Sequence, residues 1–343
     1  MKTKLALIGF GTVGRGLCDI LLAKKEYLHN KYNFEWEIVA ISDLKKGSLY
    51  SPDGLDMKPV LNLLNQDKSI EEYQTSGNVT KGLNALETIA KCNADIVCEM
   101  TYTDIQTGQP ATDHCRLALK SGKHVVTSNK GPAALFYHEL SKLAAQHNVR
   151  FLIEGTVMSG TPVLNLAGNE LAGNKITAIR GILNGTTNFV LTNMEAGRSY
   201  RDVLQEAQNL GYAEADPTAD VEGFDALAKV TILANVVMGE QIRPEQIPCR
   251  GITTITPEDI AAAKQENKRW KLIGEIEKDG DHIIASVGPV KIDLSHPLAG
   301  VNGTMNAITF TTDLLGDITV VGAGAGKTET GFSILTDILE IHR

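Results

Sequence analysis

The sequence predicts an α/β protein: an N-terminal doubly wound parallel sheet followed by a second, α+β domain. Strand-like and helix-like segments alternate up to Lys130, and a glycine-rich turn closes the first apolar run. After Lys130 the alternation gives way to longer strands and a hairpin. At 343 residues the chain also exceeds what a single hydrophobic core ordinarily supports.

Leu5-Ala6-Leu7-Ile8 is a continuous apolar run ended by glycine, as expected of a strand buried on both faces. Apolar residues then recur at helical spacing from Val13 to Leu22, and Glu37 to Ile41 forms the second strand, closing on Ser42-Asp43. The polar stretch Leu44 to Lys81 breaks the rhythm and reads as loop with a helix of its own. Asp95 to Cys98 and His124 to Thr127 are two further strands, separated by a helical segment around Cys115 to Lys120. Phe151 to Glu154 begins the second domain as a strand, and Lys175 to Leu183 is a longer strand with Gly181 inside it. Ser199 to Asp202 has the form of a capping box. An acidic loop, Gly211 to Asp220, leads into an apolar helix from Val221 to Met238. Thr256-Pro257-Glu258 starts another helix, with Thr at the cap and Pro first inside. Trp270 to Glu277 and His282 to Val287 pair around Asp279-Gly280. The last helix, Thr328 to Ile341, follows the cluster Gly322 to Gly326.

Composition excludes several partners. The formal net charge is −8 and no stripe of Lys and Arg is present, so a nucleic-acid partner is not expected. The N-terminus lacks the apolar length of a signal peptide, and no window reaches the ~18 apolar residues of a membrane span. A cytoplasmic protein with no membrane partner is expected. Five cysteines without a C-x-x-C spacing read as buried, reduced thiols rather than disulfides or a zinc site. Asp113-His114 is the nearest approach to a histidine dyad and reads as part of a surface helix.

Gly9-Phe10-Gly11-Thr12-Val13-Gly14 lies between the first strand and the first helix, the context in which G-x-G-x-x-G binds a dinucleotide. Gly9 suits the tight turn, Gly11 lets the backbone approach a pyrophosphate, and Gly14 allows close helix–sheet packing. The N-terminal domain is therefore of Rossmann type. Asp43, ending the second strand, suits a ribose 2′-hydroxyl and hence NAD. Lys45 and Lys46 follow it directly and suit a 2′-phosphate, so NAD and NADP both remain open.

The acidic segment carries the chemistry. Glu214, Asp216, Asp220, Glu222 and Asp225 precede Lys229, and Asp225 and Lys229 share one helix face at i, i+4. A surface pair would be worth only ~0.3–0.5 kcal/mol. Here the neighbours are Leu227, Val230, Ile232 and Leu233, so the charged pair must face a polar cavity. A lysine held beside carboxylates away from water is suited to exchange a proton with a carbonyl or hydroxyl, and the carboxylates suit a substrate ammonium.

The run from Gly211 to Pro217, then Asp220 to Ala226 with Lys229, resembles the signature of homoserine dehydrogenases. So do Gly181 to Phe189, Glu154 to Pro162 and Ser128-Asn129-Lys130, and the resemblance runs from Leu5 to the last glycine cluster. It implies reversible NAD(P)H-dependent reduction of L-aspartate 4-semialdehyde to L-homoserine, in threonine and methionine biosynthesis. It also implies Lys229 as proton donor, Glu214, Asp225 and Asp220 as substrate-binding residues, and Lys130 beside both nicotinamide and substrate. Thr101 and Gly324 would line the cofactor crevice. A monovalent cation, sodium, would be held by backbone carbonyls at Glu154, Val157, Ser159 and Thr161. On this reading residues 1–150, completed by 322–343, bind the dinucleotide, and 151–321 form a catalytic and dimerisation domain of a homodimer.

Two departures stand out. Gly155 occupies a position where the family often has Ala, and Gly326 to Thr330 is more charged than the usual apolar continuation. The short chain leaves no room for a C-terminal regulatory domain and is expected to carry no preceding kinase. A related amino-acid semialdehyde dehydrogenase and a non-catalytic dinucleotide sensor are the alternatives. Loss of Lys229 or Lys130 would have pointed to the sensor, and a change at Glu214 or Asp225 to another substrate; all four residues are present.

Overall fold

The computed structural model describes residues 2–74 and 77–343. The chain divides into two compact units, one running to Thr156 and including Gly326–Arg343, the other spanning Val157–Ala325.

The first unit is built on a seven-stranded sheet of order β4-β3-β2-β1-β5-β6-β7. Its strands are β1 (Thr3–Ile8), β2 (Trp36–Asp43), β3 (Gly47–Tyr50), β4 (Thr80–Lys81), β5 (Ile96–Glu99), β6 (His124–Thr127) and β7 (Phe151–Leu152). The five strands β2-β1-β5-β6-β7 are parallel, and β3 and β4 extend the edge antiparallel. The segment 44–81, expected to be loop with one helix, thus holds two strands besides its helix α3 (Met57–Asn65). Both strands are short and too polar to alternate, which hid them from periodicity. Phe151-Leu152, expected to open the second domain, instead pairs with β6 at the far edge of this sheet.

Helices α1 (Thr12–Ala23), α2 (Lys25–Tyr32), α4 (Ala85–Lys91), α5 (Ala111–Lys120), α6 (Lys130–Leu135) and α7 (Tyr137–Gln146) complete the winding. Leu5, Leu7, Leu17, Leu21, Ile38 and Ile41 form the fully buried centre. The chain leaves β1 for β2 on one side and returns as β5 on the other. Between their carboxyl ends lies the switch point at which open α/β sheets bind ligands. The terminal helix α14 (Lys327–His342) belongs to this unit and buries Ile334, Leu335 and Ile338 in its core.

The second unit is a five-stranded antiparallel sheet of order β10-β9-β8-β11-β12. Its strands are β8 (Ile176–Ile182), β9 (Lys268–Asp279), β10 (His282–Asp293), β11 (Met305–Thr312) and β12 (Gly316–Ala323). The β9–β10 hairpin turns at Gly280-Asp281, one residue beyond the expected Asp279-Gly280, and its strands are longer than the apolar pattern indicated. The helices are α8 (Val163–Asn165), α9 (Gly185–Glu195), α10 (Tyr200–Asn209), α11 (Thr218–Val221), α12 (Phe224–Val236) and α13 (Pro257–Gln265). Ser199 and Thr256 cap α10 and α13 through the N–H groups of Asp202 and Asp259, as read from the sequence. The helix expected from Val221 to Met238 is broken at Gly223, whose φ of 85° is left-handed. An apolar pattern continues across such a break and conceals it. Lys271 of β9 is buried, donating to Asn188 Oδ1 at 2.8 Å and to the Val301 carbonyl at 2.5 Å. Burial lowers its ammonium to about 8.

Cys18, Cys92, Cys98 and Cys115 are buried thiols and Cys249 is partly buried. Burial pushes the Cys18 thiol up to about 12, far from a reactive thiolate. Among the described residues, no helix is long and apolar enough to cross a membrane.

Candidate active site

In the first unit the β1–α1 turn is shaped by contacts only glycine permits. Gly9 has a φ of 89°, and a Cβ there would lie 2.4 Å from the Met100 carbonyl oxygen at the end of β5. At Gly14 a Cβ would lie 2.7 Å from the Gly9 carbonyl oxygen, so the helix can approach only without one. A Cβ on Gly11, the residue preceding α1, would meet no heavy atom within 4 Å. That open side faces a groove of about 510 Å³ whose walls include Gly9, Gly11, Asp43, Lys45 and Thr101. The first N–H groups of a helix have no partner inside it, so those of Thr12 and Val13 suit an anion. Phe10 contributes backbone only, since its ring is wholly buried in the core.

Asp43 holds the turn together. One carboxylate oxygen accepts from Phe10 N at 2.8 Å, and the other from the N–H groups of Lys45 and Lys46 at 3.0 and 3.1 Å. Lys46 folds back and donates its ammonium to the Phe10 carbonyl. Burial lowers the Lys46 ammonium, with Asp43 opposing the shift. Of the two lysines it is therefore Lys45 that borders the groove. These residues fit a dinucleotide: a Cβ-free cradle at Gly11, a helix N-terminus, and a carboxylate at the far end.

Lys130 opens α6 at the carboxyl end of β6. Asn129 caps that helix through Gly131 N at 3.0 Å and donates to the carbonyls of Thr101 and Tyr102 at 3.3 and 2.9 Å. The Asn-Lys turn is thereby fastened to the groove wall.

In the second unit Asp220, Asp225 and Lys229 converge. Lys229 is only 6% exposed, and its ammonium donates to the Leu183 carbonyl at 2.6 Å and to Asp225 Oδ2 at 2.7 Å. An ammonium has three N–H groups, and these two bonds aim the third. Asn184 ties the carboxylates together, its amide donating to Asp220 Oδ1 at 2.7 Å and to Asp225 Oδ2 at 2.9 Å. Its carbonyl oxygen caps α9 by accepting from Thr187 N at 2.8 Å. Asn184 was not singled out from the sequence, although it lies within the quoted Gly181–Phe189 run. Its position between a strand end and a helix start was the available signal. Thr186 donates to the Tyr212 carbonyl at 2.7 Å and so anchors the acidic loop to α9.

Glu214 is exposed on that loop, with its carbonyl accepting from Gln208 Nε2 at 3.2 Å. Asp216 caps its own turn through Thr218 N at 3.0 Å. Gly324 belongs to the second unit, where a Cβ would fall 2.2 Å from the Asn306 side chain. Thr161 is in the same unit and donates to the Ala323 carbonyl at 3.2 Å. Val157 is buried there and is followed by Met158 and Ser159 at φ of 56° and 53°. Glu154 lies in the first unit, its N–H donating to Asp337 Oδ2 at 3.0 Å. Among the described residues, no group of three or more His, Cys, Asp or Glu side chains is placed to hold a metal ion.

Burial, and then the nearby Asp225 charge, raise the Asp220 carboxyl above its usual range. The folded state therefore holds this proton more tightly than the unfolded chain does. The stability it contributes is present below the unfolded value of about 3.9 and is lost as pH rises through the folded one. Asp220→Asn is accordingly expected to raise the urea midpoint of the unliganded protein at pH 7.5 but not at pH 3.5. An equal effect at both pH values would show that the charge of Asp220 is not the cause.

Comparisons with known proteins agree with this architecture. A family model described as homoserine dehydrogenase matches residues 162–339, and one described as homoserine dehydrogenase, NAD binding domain matches residues 9–154. An NAD(+)-dependent homoserine dehydrogenase from Pseudomonas canavaninivorans is 46% identical over 341 residues, covering 99% of this chain and 96% of that protein. The crystal structure of a putative homoserine dehydrogenase from Archaeoglobus fulgidus superposes with a TM-score of 0.88 at 38% identity, covering 99% of both chains. A hyperthermophilic archaeal homoserine dehydrogenase mutant in complex with NADPH gives 0.85 at 30% identity, covering 100% of this chain and 98% of that one.

Proposed function

This chain belongs to the homoserine dehydrogenase family, and from that premise we propose how its residues share out the reaction. The enzyme is an NAD(P)-dependent oxidoreductase acting on a CH–OH group, interconverting L-aspartate 4-semialdehyde and L-homoserine. The observation that carries the division of labour is the buried Lys229 ammonium, aimed by Leu183 and Asp225.

Residues 9–14 would hold the dinucleotide, with Gly11 and the N–H groups of Thr12 and Val13 available to its pyrophosphate. When bound, the reduced nicotinamide supplies the hydride that reaches the carbonyl carbon. Lys229 gives a proton to the carbonyl oxygen in reduction and takes it from the hydroxyl in oxidation, contributing ~10²–10⁴ in rate. Asp225 holds the lysine in line while Asn184 orients both carboxylates. Asp220 and Glu214 receive the substrate ammonium, whose charge offsets the cost of burying Asp220 beside the like-charged Asp225. Lys130 binds at the nicotinamide end of the groove, steadied by the Asn129 cap.

NAD is the preferred cofactor on this reading. The carboxylate of Asp43 would lie against a 2′-phosphate as a like charge, and Lys46 is drawn away to the Phe10 carbonyl. Homoserine oxidation followed at the nicotinamide absorbance, with NAD and NADP side by side, is expected to favour NAD by about tenfold or more in kcat/KM. Equal or better turnover with NADP would overturn the preference, and no turnover with either would overturn the activity.

A sodium ion on the carbonyls of segment 157–161 is a further part of the proposal. Left-handed backbone at Met158 and Ser159 costs about 1–2 kcal/mol per residue, which a bound cation would offset. An oxygen-only donor set suits a hard monovalent ion. The Thr161 carbonyl is partly committed, since it accepts from Val163 N at 2.9 Å. A homodimer is also part of the reading. It is supported by Ile284 and Val321, 62% and 51% exposed on the sheet face that carries Arg180.

A further inference from the structure

The reaction as derived leaves one buried cluster of the first unit without a role. Glu99, the last residue of β5, is 0% exposed. Its Oε1 accepts from Thr101 N at 3.2 Å and from the Thr101 hydroxyl, and lies 3.3 Å from His114 Nδ1. Its Oε2 is 3.3 Å from Thr127 Oγ1, which donates to the Glu99 carbonyl at 2.7 Å. One carboxylate thus joins the ends of β5 and β6 to the first turn of α5. The sequence placed Asp113-His114 on a surface helix. That holds for Asp113, which is exposed, but His114 is 4% exposed and faces Glu99.

The chemistry of the contact fixes the ring. A carboxylate oxygen that already accepts two hydrogen bonds from Thr101 meets Nδ1 as an acceptor too, so Nδ1 carries the proton. His114 also borders the groove, in company with Thr101 and Tyr102. With Nδ1 committed, Nε2 is the nitrogen left for a ligand, and in the neutral ring it offers a lone pair. A core histidine with no further task accounts for the Glu99 contact but not for the residue's place in the groove wall.

We propose that His114 is a cofactor-binding residue, accepting a hydrogen bond at Nε2 from a hydroxyl or amide of the dinucleotide, and that Glu99 is the positioning residue that fixes its tautomer. The inference rests on the groove being the cofactor site. Glu99 also holds Thr101, whose carbonyl receives the Asn129 amide, so the same carboxylate steadies the turn that carries Lys130.

Titrating the protein with NADH, followed by nicotinamide fluorescence without substrate, reads the Kd directly. His114→Asn leaves an amide opposite Glu99 and removes Nε2, and is expected to raise the Kd about three- to tenfold with an unchanged urea midpoint. Glu99→Ala removes the acceptor that fixes the proton on Nδ1, so it should weaken NADH in the same direction. The double variant should bind no worse than either single one, because both changes remove one interaction. Additive losses, or an unchanged Kd for His114→Asn, would overturn the proposal. Should Glu99→Ala lower the midpoint, His114→Asn decides alone. Gly11→Val separates the two levels, since a Cβ there meets no heavy atom within 4 Å and borders the groove. Binding that survives Gly11→Val removes the groove as the cofactor site. Binding lost there but intact in His114→Asn removes the His114 inference only.

Discussion

Lys229→Ala is expected to lower kcat by ~10²–10⁴ while leaving the Kd for reduced cofactor within about threefold. The argument starts from the ammonium's partners. Two of its three N–H groups are held by the Leu183 carbonyl and Asp225, and the proposed mechanism assigns the third to the substrate oxygen. Truncation removes the proton source and leaves both acceptors without it, at a cost of about 1–3 kcal/mol in stability. A fall in activity could then reflect partial unfolding, so the measurement needs a second arm. Small primary alkylammonium ions should restore part of the lost rate, in proportion to their concentration, if the missing group is a proton donor. Unchanged kcat, or a loss that no amine relieves in a protein of normal urea midpoint, would remove Lys229 from the proton-transfer step.

Gly9→Ala is expected to destabilise the protein by about 2–5 kcal/mol, and Gly11→Ala by no more than about 0.5 kcal/mol. The two glycines are two positions apart in one motif, yet they serve different ends. At Gly9 the backbone is left-handed and the added methyl would meet the backbone of Met100 and Thr101, which a central strand cannot move aside. At Gly11 the methyl meets nothing, and its only cost is to a ligand lying in the groove. Denaturant unfolding should separate the pair, and NADH titration should show Gly11→Ala weakening the cofactor with its stability intact. Similar urea midpoints for both variants would contradict the geometry at Gly9.

The residues that could be read in advance are those whose chemistry is written in neighbouring letters. The glycine turn follows a strand and opens a helix, and Asp225 and Lys229 lie one helical turn apart among apolar residues, so local pattern alone brings them together. Asn184 reaches Asp220 and Asp225 across 36 and 41 positions, and Glu99 reaches His114 across 15. Contacts of that kind depend on tertiary placement, which periodicity does not encode. The same limit hid β3 and β4, which are strands only because β2 offers β3 an edge and β3 offers one to β4. It also hid the break at Gly223, where a Cβ would sit 3.1 Å from Cys249 Sγ. His114 was misassigned for a related reason: a helix with polar residues looks exposed until its neighbours are known.

The return of α14 to the first unit has a consequence for the order in which the molecule is made. Gly331 packs where a Cβ would be 2.6 Å from Leu17 N, and Ile334 and Ile338 have no exposure at all. The first unit's core is therefore incomplete until Lys327–His342 has left the ribosome. Domains generally fold N-terminal first during synthesis. Here the nascent chain must carry an open apolar face beside α1 while residues 157–325 emerge and fold, so the unit that begins the chain is the last to close.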